Sequence, residues 1–184
     1  MVKNGTMETD RKLINMFLKG DEEAFGMLMS RYEKPLYFFI YRMVGNHEDA
    51  ADICQRTFVQ VFQKVKGFLA RSSFKTWLYR IATNQSLNHI RSSSRLRTEE
   101  LSEEHPICVS NEDRAGGADD ELLRRMIAGL PEKQRLTLVL RIYQEMSFRE
   151  ISSVTGITEN SAKVNFHHAL GTLRKRMREE DGLR

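Results

Sequence analysis

Apolar residues recur along this chain every three or four positions, and the runs are separated by Gly, Pro and capping residues. The first run predicts a helix over Arg11–Lys19 with Leu13, Ile14, Phe17 and Leu18 inward. Gly20 ends it and Asp21 caps a second helix, which carries Phe25, Leu28, Met29 and Tyr32 on one face. Pro35 is expected to begin a third, with Leu36, Ile40 and Met43 inward and Gly45 closing it. Asn46 caps the next, where Ala50, Ile53, Cys54, Phe58, Val61, Phe62 and Val65 face inward. Asp49, Asp52, Gln55 and Arg56 cannot join that face and form a polar surface. After a loop over 67–73, Phe74, Leu78, Ile81 and Ala82 set the buried side of a further helix.

From 97 to 118 no period is sustained, and Ser, Glu, Asp and Gly dominate, with Gly116-Gly117 as a breaker pair. Helical spacing resumes near Asp119. A second helix starts at Pro131, with Leu136, Val139, Leu140 and Tyr143 inward. Ser147 and Glu150 then stand three residues apart as a capping box. Ile151 and Val154 face inward, Thr155-Gly156 stops that helix, and Thr158 caps the last one. There Ala162, Phe166, Ala169, Leu170, Leu173 and Met177 share a stripe. Two helices around a tight Gly-containing turn predict a helix-turn-helix, whose second helix is the reader. Asn160, Lys163, Val164, His167 and His168 lie off the apolar stripe near its start, where major-groove contacts are made. The fold class is therefore all-α: two small helical domains, 8–96 and 119–180, joined by a flexible acidic linker, 97–118.

Composition changes this picture less than the distribution of charge does. The 184 residues are 40% hydrophobic and 29% charged, with a net charge of +4 and a pI near 9.1. Residues 71–98 hold six Arg or Lys and no acid, whereas Glu99–Glu121 hold nine acids and one base, Arg114. Such segregation marks functional blocks. Cys54 and Cys108 are far apart in sequence, and His105 with Cys108 is too few ligands for zinc; no metal or other cofactor is expected. The N-terminal residues lack the apolar core of a signal peptide, and the longest apolar run, Leu36–Val44, is short and holds Arg42. A cytoplasmic chain with reduced thiols and no membrane insertion is expected.

Within the basic stretch Arg80, Asn84, Leu87, Arg91 and Arg95 step along one stripe. Cations neutralise phosphates and an amide between them pairs with base edges. Trp77 and Tyr79 offer aromatic faces for unstacked bases. The competing reading is a solvated basic helix with Trp77 in the core.

The run Asp49-Ala50-Ala51-Asp52-Ile53-Cys54-Gln55-Arg56-Thr57-Phe58 resembles the DAxDxxQxxF segment of bacterial sigma factors. The helix from Phe74 to Asn84 resembles the same family's promoter-reading helix, and Leu130–Arg135 with Ser147–Met177 resembles its fourth region. The likeness is to the extracytoplasmic-function group, which retains only the second and fourth regions. It implies a promoter-specificity subunit of RNA polymerase for stress- or envelope-responsive promoters, not an enzyme. On that resemblance Asp49, Asp52 and Gln55 dock on core polymerase. Arg71, Ser72, Trp77, Arg80, Asn84, Asn88 and Arg91 read the −10 element as single-stranded DNA. Asn160, Lys163, Val164, His167 and His168 read the −35 element as duplex. An anti-sigma protein would cover both domains. Arg56 stands where the family usually has an acid, and Val164, Asn165 and His168 replace a common Ser-Arg pair and a later Arg.

Opening several base pairs costs on the order of 5–10 kcal/mol at ~1.4 kcal/mol per step. Stacking returns ~1–3 kcal/mol per base, so one Trp needs a larger machine to hold the strands. A free-standing helix-turn-helix regulator explains the C-terminal block but leaves Asp52, Gln55 and the Trp-bearing helix idle. An enzyme would need a phosphate loop, a metal quartet or a nucleophile motif, and a scaffold would not need segregated charge.

Overall fold

Caps and glycines divide the chain much as their chemistry requires. Asp21 Oδ1 accepts from the Ala24 amide at 3.2 Å, and Asn46 Oδ1 from the Asp49 amide at 3.0 Å. Gly45 takes φ 78° at the end of one helix, a left-handed conformation that suits glycine. The structure, a computed structural model, describes residues 3–68, 72–99 and 118–181. Arg71, His105 and Cys108 lie outside the described residues. Eight α-helices occur among those described: α1 (Lys3–Leu18), α2 (Glu22–Val44), α3 (His47–Lys64), α4 (Phe74–Glu99), α5 (Ala118–Ala128), α6 (Glu132–Ile142), α7 (Phe148–Thr155) and α8 (Glu159–Asp181). A single 3-10 turn follows α3.

Helices α1–α4 pack around Leu28, Leu36, Phe39, Ile40, Ile53, Val61, Leu78 and Tyr79, all fully buried. The break expected at Pro35 does not occur, because α2 runs through it. Pro35 is exposed, so the one missing amide faces solvent, while Tyr32, Leu36, Phe39 and Ile40 keep an unbroken buried face. Asp10 is buried and accepts from the Tyr32 hydroxyl and the Arg31 guanidinium, which fastens α1 to α2. Two expected core residues are exposed: Leu18 at the end of α1, and Phe62 near the end of α3. The Phe62 ring still meets Phe17 and Phe25 at 5.7 and 5.2 Å, forming the rim of the core.

Helices α5–α8 enclose a second set, including Ile127, Leu136, Val139, Leu140, Ile151, Val154, Ala162, Ala169 and Leu173. The Arg176 guanidinium donates to the carbonyls of Met126 and Gly129 at 2.9 and 3.1 Å, closing the C-terminus of α5. A Cβ on Gly129 would stand 2.7 Å from that guanidinium, so a larger residue there would require the Arg176 side chain to shift. Pro131 is the residue just before α6 rather than its first, and Met177, expected inward, is exposed.

The two helical sets meet along a seam. Helix α7 lies on α4, and α6 on α2. Most of the specific contacts come from the turn after α6. Lys75 Nζ donates to the Gln144 carbonyl at 2.6 Å, and the Tyr79 hydroxyl donates to the Gln144 side-chain oxygen. Tyr143, expected to be core, instead lies under the Arg42 guanidinium at 3.9 Å. Glu145 beside it has φ 54°, so the turn is held in a conformation that non-glycine residues seldom adopt.

Candidate nucleic-acid interface

Helix α4 presents the first candidate surface. Phe74, Leu78, Tyr79, Ile81 and Ala82 anchor it, leaving Arg80, Asn84, Asn88 and Arg91 exposed on the opposite side. Arg80, Asn84 and Asn88 follow one another at four-residue steps, so they stand about 6 Å apart along the helix. Arg91 reaches across the seam to Glu132 at 3.5 Å. Trp77 is half-buried against Phe68 and Phe74, with ring centroids at 5.1 and 5.9 Å, so part of the side chain stays exposed. Ser72 is exposed just before the helix. Tyr79 does not supply a base platform: it is fully buried, its ring 5.1 Å from Phe39. Burial raises the pKa of its hydroxyl well above the usual tyrosine value, with a smaller push from Cys54.

Helix α3 borders this surface. Asp52 and Gln55 are exposed, and Asp52 pairs with Arg56 at 2.6 Å, so the cation that replaces the family's usual acid partly neutralises it. Asp49 turns the other way, toward α4, and meets His89 Nε2 at 3.2 Å. An open cleft of about 800 Å³ runs between the helices, with Gln55 and Arg56 on one wall and Asn88, His89 and Ser92 on the other. Of the residues expected to touch polymerase or DNA, Gln55 and Asn88 line this cleft, one on each wall. Sequence reasoning missed His89, Gln60 and Gln85, the last two joined at 2.8 Å across the same helices. Their only signal was the amide-rich character of both helices.

The second candidate surface is built by the turn between α7 and α8. The Ser147 amide donates to Glu150 at 2.8 Å and the Glu150 amide to Ser147 Oγ at 3.3 Å, completing the capping box. Gly156 takes φ 77° and closes α7. Thr158 Oγ1 accepts from the Ser161 amide at 3.1 Å and starts α8. Ala162 and Ala169 are fully buried, and Phe148 meets Phe166 edge-on at 5.7 Å, which fixes the rotation of α8. Asn160, Lys163, Val164, His167 and His168 are all exposed as a result. Lys163 is tied to Glu159 at 3.1 Å.

Residues 28–96 match the family described as Sigma-70 region 2, and residues 120–173 match Sigma-70, region 4. The chain is 31% identical over 181 residues to the ECF RNA polymerase sigma factor SigW of Bacillus subtilis, covering 92% of this chain and 97% of that one. This chain is an ECF sigma factor of the sigma-70 family. As such it is a promoter-specificity subunit of RNA polymerase. The sigma factor is also 30% identical over 161 residues to the RNA polymerase sigma-H factor of Pseudomonas aeruginosa, with 81% and 83% of the two chains covered. It superposes on CnrH from its complex with the cytosolic domain of CnrY at a TM-score of 0.71, with 21% identity and 93% and 98% coverage. RpoE of Bartonella quintana, from its complex with the anti-sigma factor NepR, gives the same TM-score at 19% identity, covering 84% of this sigma factor. At those identities the likeness is one of fold. Among the described residues no helix is long and apolar enough to cross a membrane, and no group of His, Cys, Asp and Glu is placed to hold a metal ion.

Proposed function

We propose that the sigma factor divides promoter reading between its two exposed surfaces. The α4 stripe, with Trp77, Arg80, Asn84, Asn88 and Arg91 and the preceding Arg71 and Ser72, takes the −10 element as single-stranded DNA. The half-buried Trp77 supplies a stacking face, and the amides supply base contacts. Helix α8 takes the −35 element as duplex through Asn160, Lys163, Val164, His167 and His168. Asp52 and Gln55, with Asp49 behind them, form the core-polymerase contact. The domains that carry these roles are 8–96 and 119–180, with 97–118 running between them. The chain works inside the cell without catalytic chemistry or cofactors of its own. An anti-sigma protein holds it inactive until an envelope or stress signal arrives; the Bartonella RpoE was captured with the anti-sigma factor NepR.

The observation that carries this reading is the pairing, in one chain, of an acid-free exposed stripe on α4 with a capped helix-turn-helix whose reader helix is exposed. Run-off transcription with purified core polymerase on a pool of promoters tests it. Transcripts from a subset sharing two sequence elements are expected. Duplex binding and repression without polymerase would instead establish a free-standing regulator.

A further inference from the structure

The exposed residues of α8 between Glu159 and His168 are charged or polar with one exception. Val164 is 44% exposed in the middle of them. It lies one helical turn from Asn160 on one side and one turn from His168 on the other, so it occupies the centre of the exposed stripe. Its presence there gains little for the helix. Valine is a poorer helix former than alanine, lysine or arginine, and at 44% exposure much of its apolar surface is left in water. The opposite face of α8 is already pinned by Ala162 and Ala169. Val164 does differ from its polar neighbours in one useful way: its β-branch leaves essentially one rotamer in a helix. Its two methyl groups are therefore held at fixed positions, and contact with a ligand costs little side-chain freedom.

In the major groove the edges of the base pairs present hydrogen-bonding groups and one apolar group, the C5-methyl of thymine. We propose that Val164 is a base-specificity determinant that packs on a thymine methyl in the −35 duplex. This rests on the reading that α8 enters the major groove. The surroundings favour that occupant over a phosphate. Val164 carries no donor, and the nearest cation, Lys163, is held by Glu159 at 3.1 Å. Asn160 has no intramolecular side-chain partner among the described residues, so its amide is free to pair with a base on the same stretch of groove.

Uracil differs from thymine only by lacking that methyl, which permits a direct test. Holoenzyme is assembled from the full chain and core polymerase, on a promoter selected by run-off transcription. Each thymine of the −35 element, on either strand, is replaced in turn by uracil, and binding is measured by competition. One replacement is expected to weaken the wild type about fourfold, the worth of one buried methyl-sized group. Val164→Ala should bind the thymine and uracil forms of that probe equally. Lys163→Ala should weaken both forms and keep the difference between them. If no single uracil matters to the wild type, or if Val164→Ala keeps the full discrimination, the proposal is wrong. Scrambling the whole element provides the second arm: were it without effect on the wild type, the groove-reading assignment of α8 would fall as well. A loss on scrambling without a uracil effect would remove Val164 alone.

Discussion

Asn84 and Arg91 are two turns apart on the same side of α4, yet their surroundings differ. Asn84 stands in the open between Arg80 and Asn88, while Arg91 is held by Glu132. An amide in that position is suited to a base, and a guanidinium to a phosphate, which carries no direct sequence information. Asn84→Ala is therefore expected to lower run-off transcription by an amount that depends on the −10 sequence, and Arg91→Ala about equally across promoters. A uniform loss for Asn84→Ala, with a lowered melting temperature, would show a packing role instead. Cys54 sits deep in the first domain, where burial first and the Glu33 carboxylate second push its thiol up to about 11. The folded form keeps a proton that the unfolded form loses near 9.0. The resulting stabilisation is complete below that value and disappears as pH rises through the folded pKa. Cys54→Ala should accordingly flatten part of the fall in melting temperature between pH 9 and 11; an unchanged slope would count against it. The acids, amides and cations proposed to meet polymerase and DNA were legible in the sequence because they interrupt an apolar period. Tyr79 was misread because an aromatic residue in a basic stretch looks the same whether a neighbouring helix covers it or not; here α2 and Gln144 do.

At the scale of the element, local chemistry was the better guide where it involved side chains bonding to their own backbone. Asp21, Asn46, Ser147 and Gly156 all act at the helix ends where their types placed them. Pro35 failed as a breaker because a buried face on both sides of it outweighs one absent amide. Periodicity gave the angle of Phe62, Tyr143 and Met177 around their helices but not how completely a neighbouring element covers that side, and all three are exposed. The capping box offers a direct test of local chemistry. Ser147→Ala leaves the Glu150 amide without its acceptor and should cost about 1 kcal/mol. Hydrogen exchange should locate the loss in α7, the shortest α-helix described, with α1–α3 unaffected. Equal acceleration throughout would mean that the box contributes to the whole chain and not to α7 in particular.

At the scale of the whole molecule, the polymerase-facing stripe and the seam make separate demands. Asp52→Lys with Gln55→Ala changes two exposed residues and should leave the circular dichroism spectrum intact while weakening capture of core polymerase. Retention of full capture by the folded variant would place the contact elsewhere. The seam has a consequence for the ions around the protein. Arg91 already has a carboxylate partner, so when it moves to a phosphate the DNA releases a counterion while Glu132 is left to recruit one. The exchange is close to neutral, and this residue adds little to the dependence of binding on salt. Glu132→Gln would free the guanidinium beforehand, and the slope of log affinity against log salt for single-stranded −10 DNA on the holoenzyme should steepen by about 0.7. A slope identical to that of the wild type would mean that Arg91 never makes the exchange.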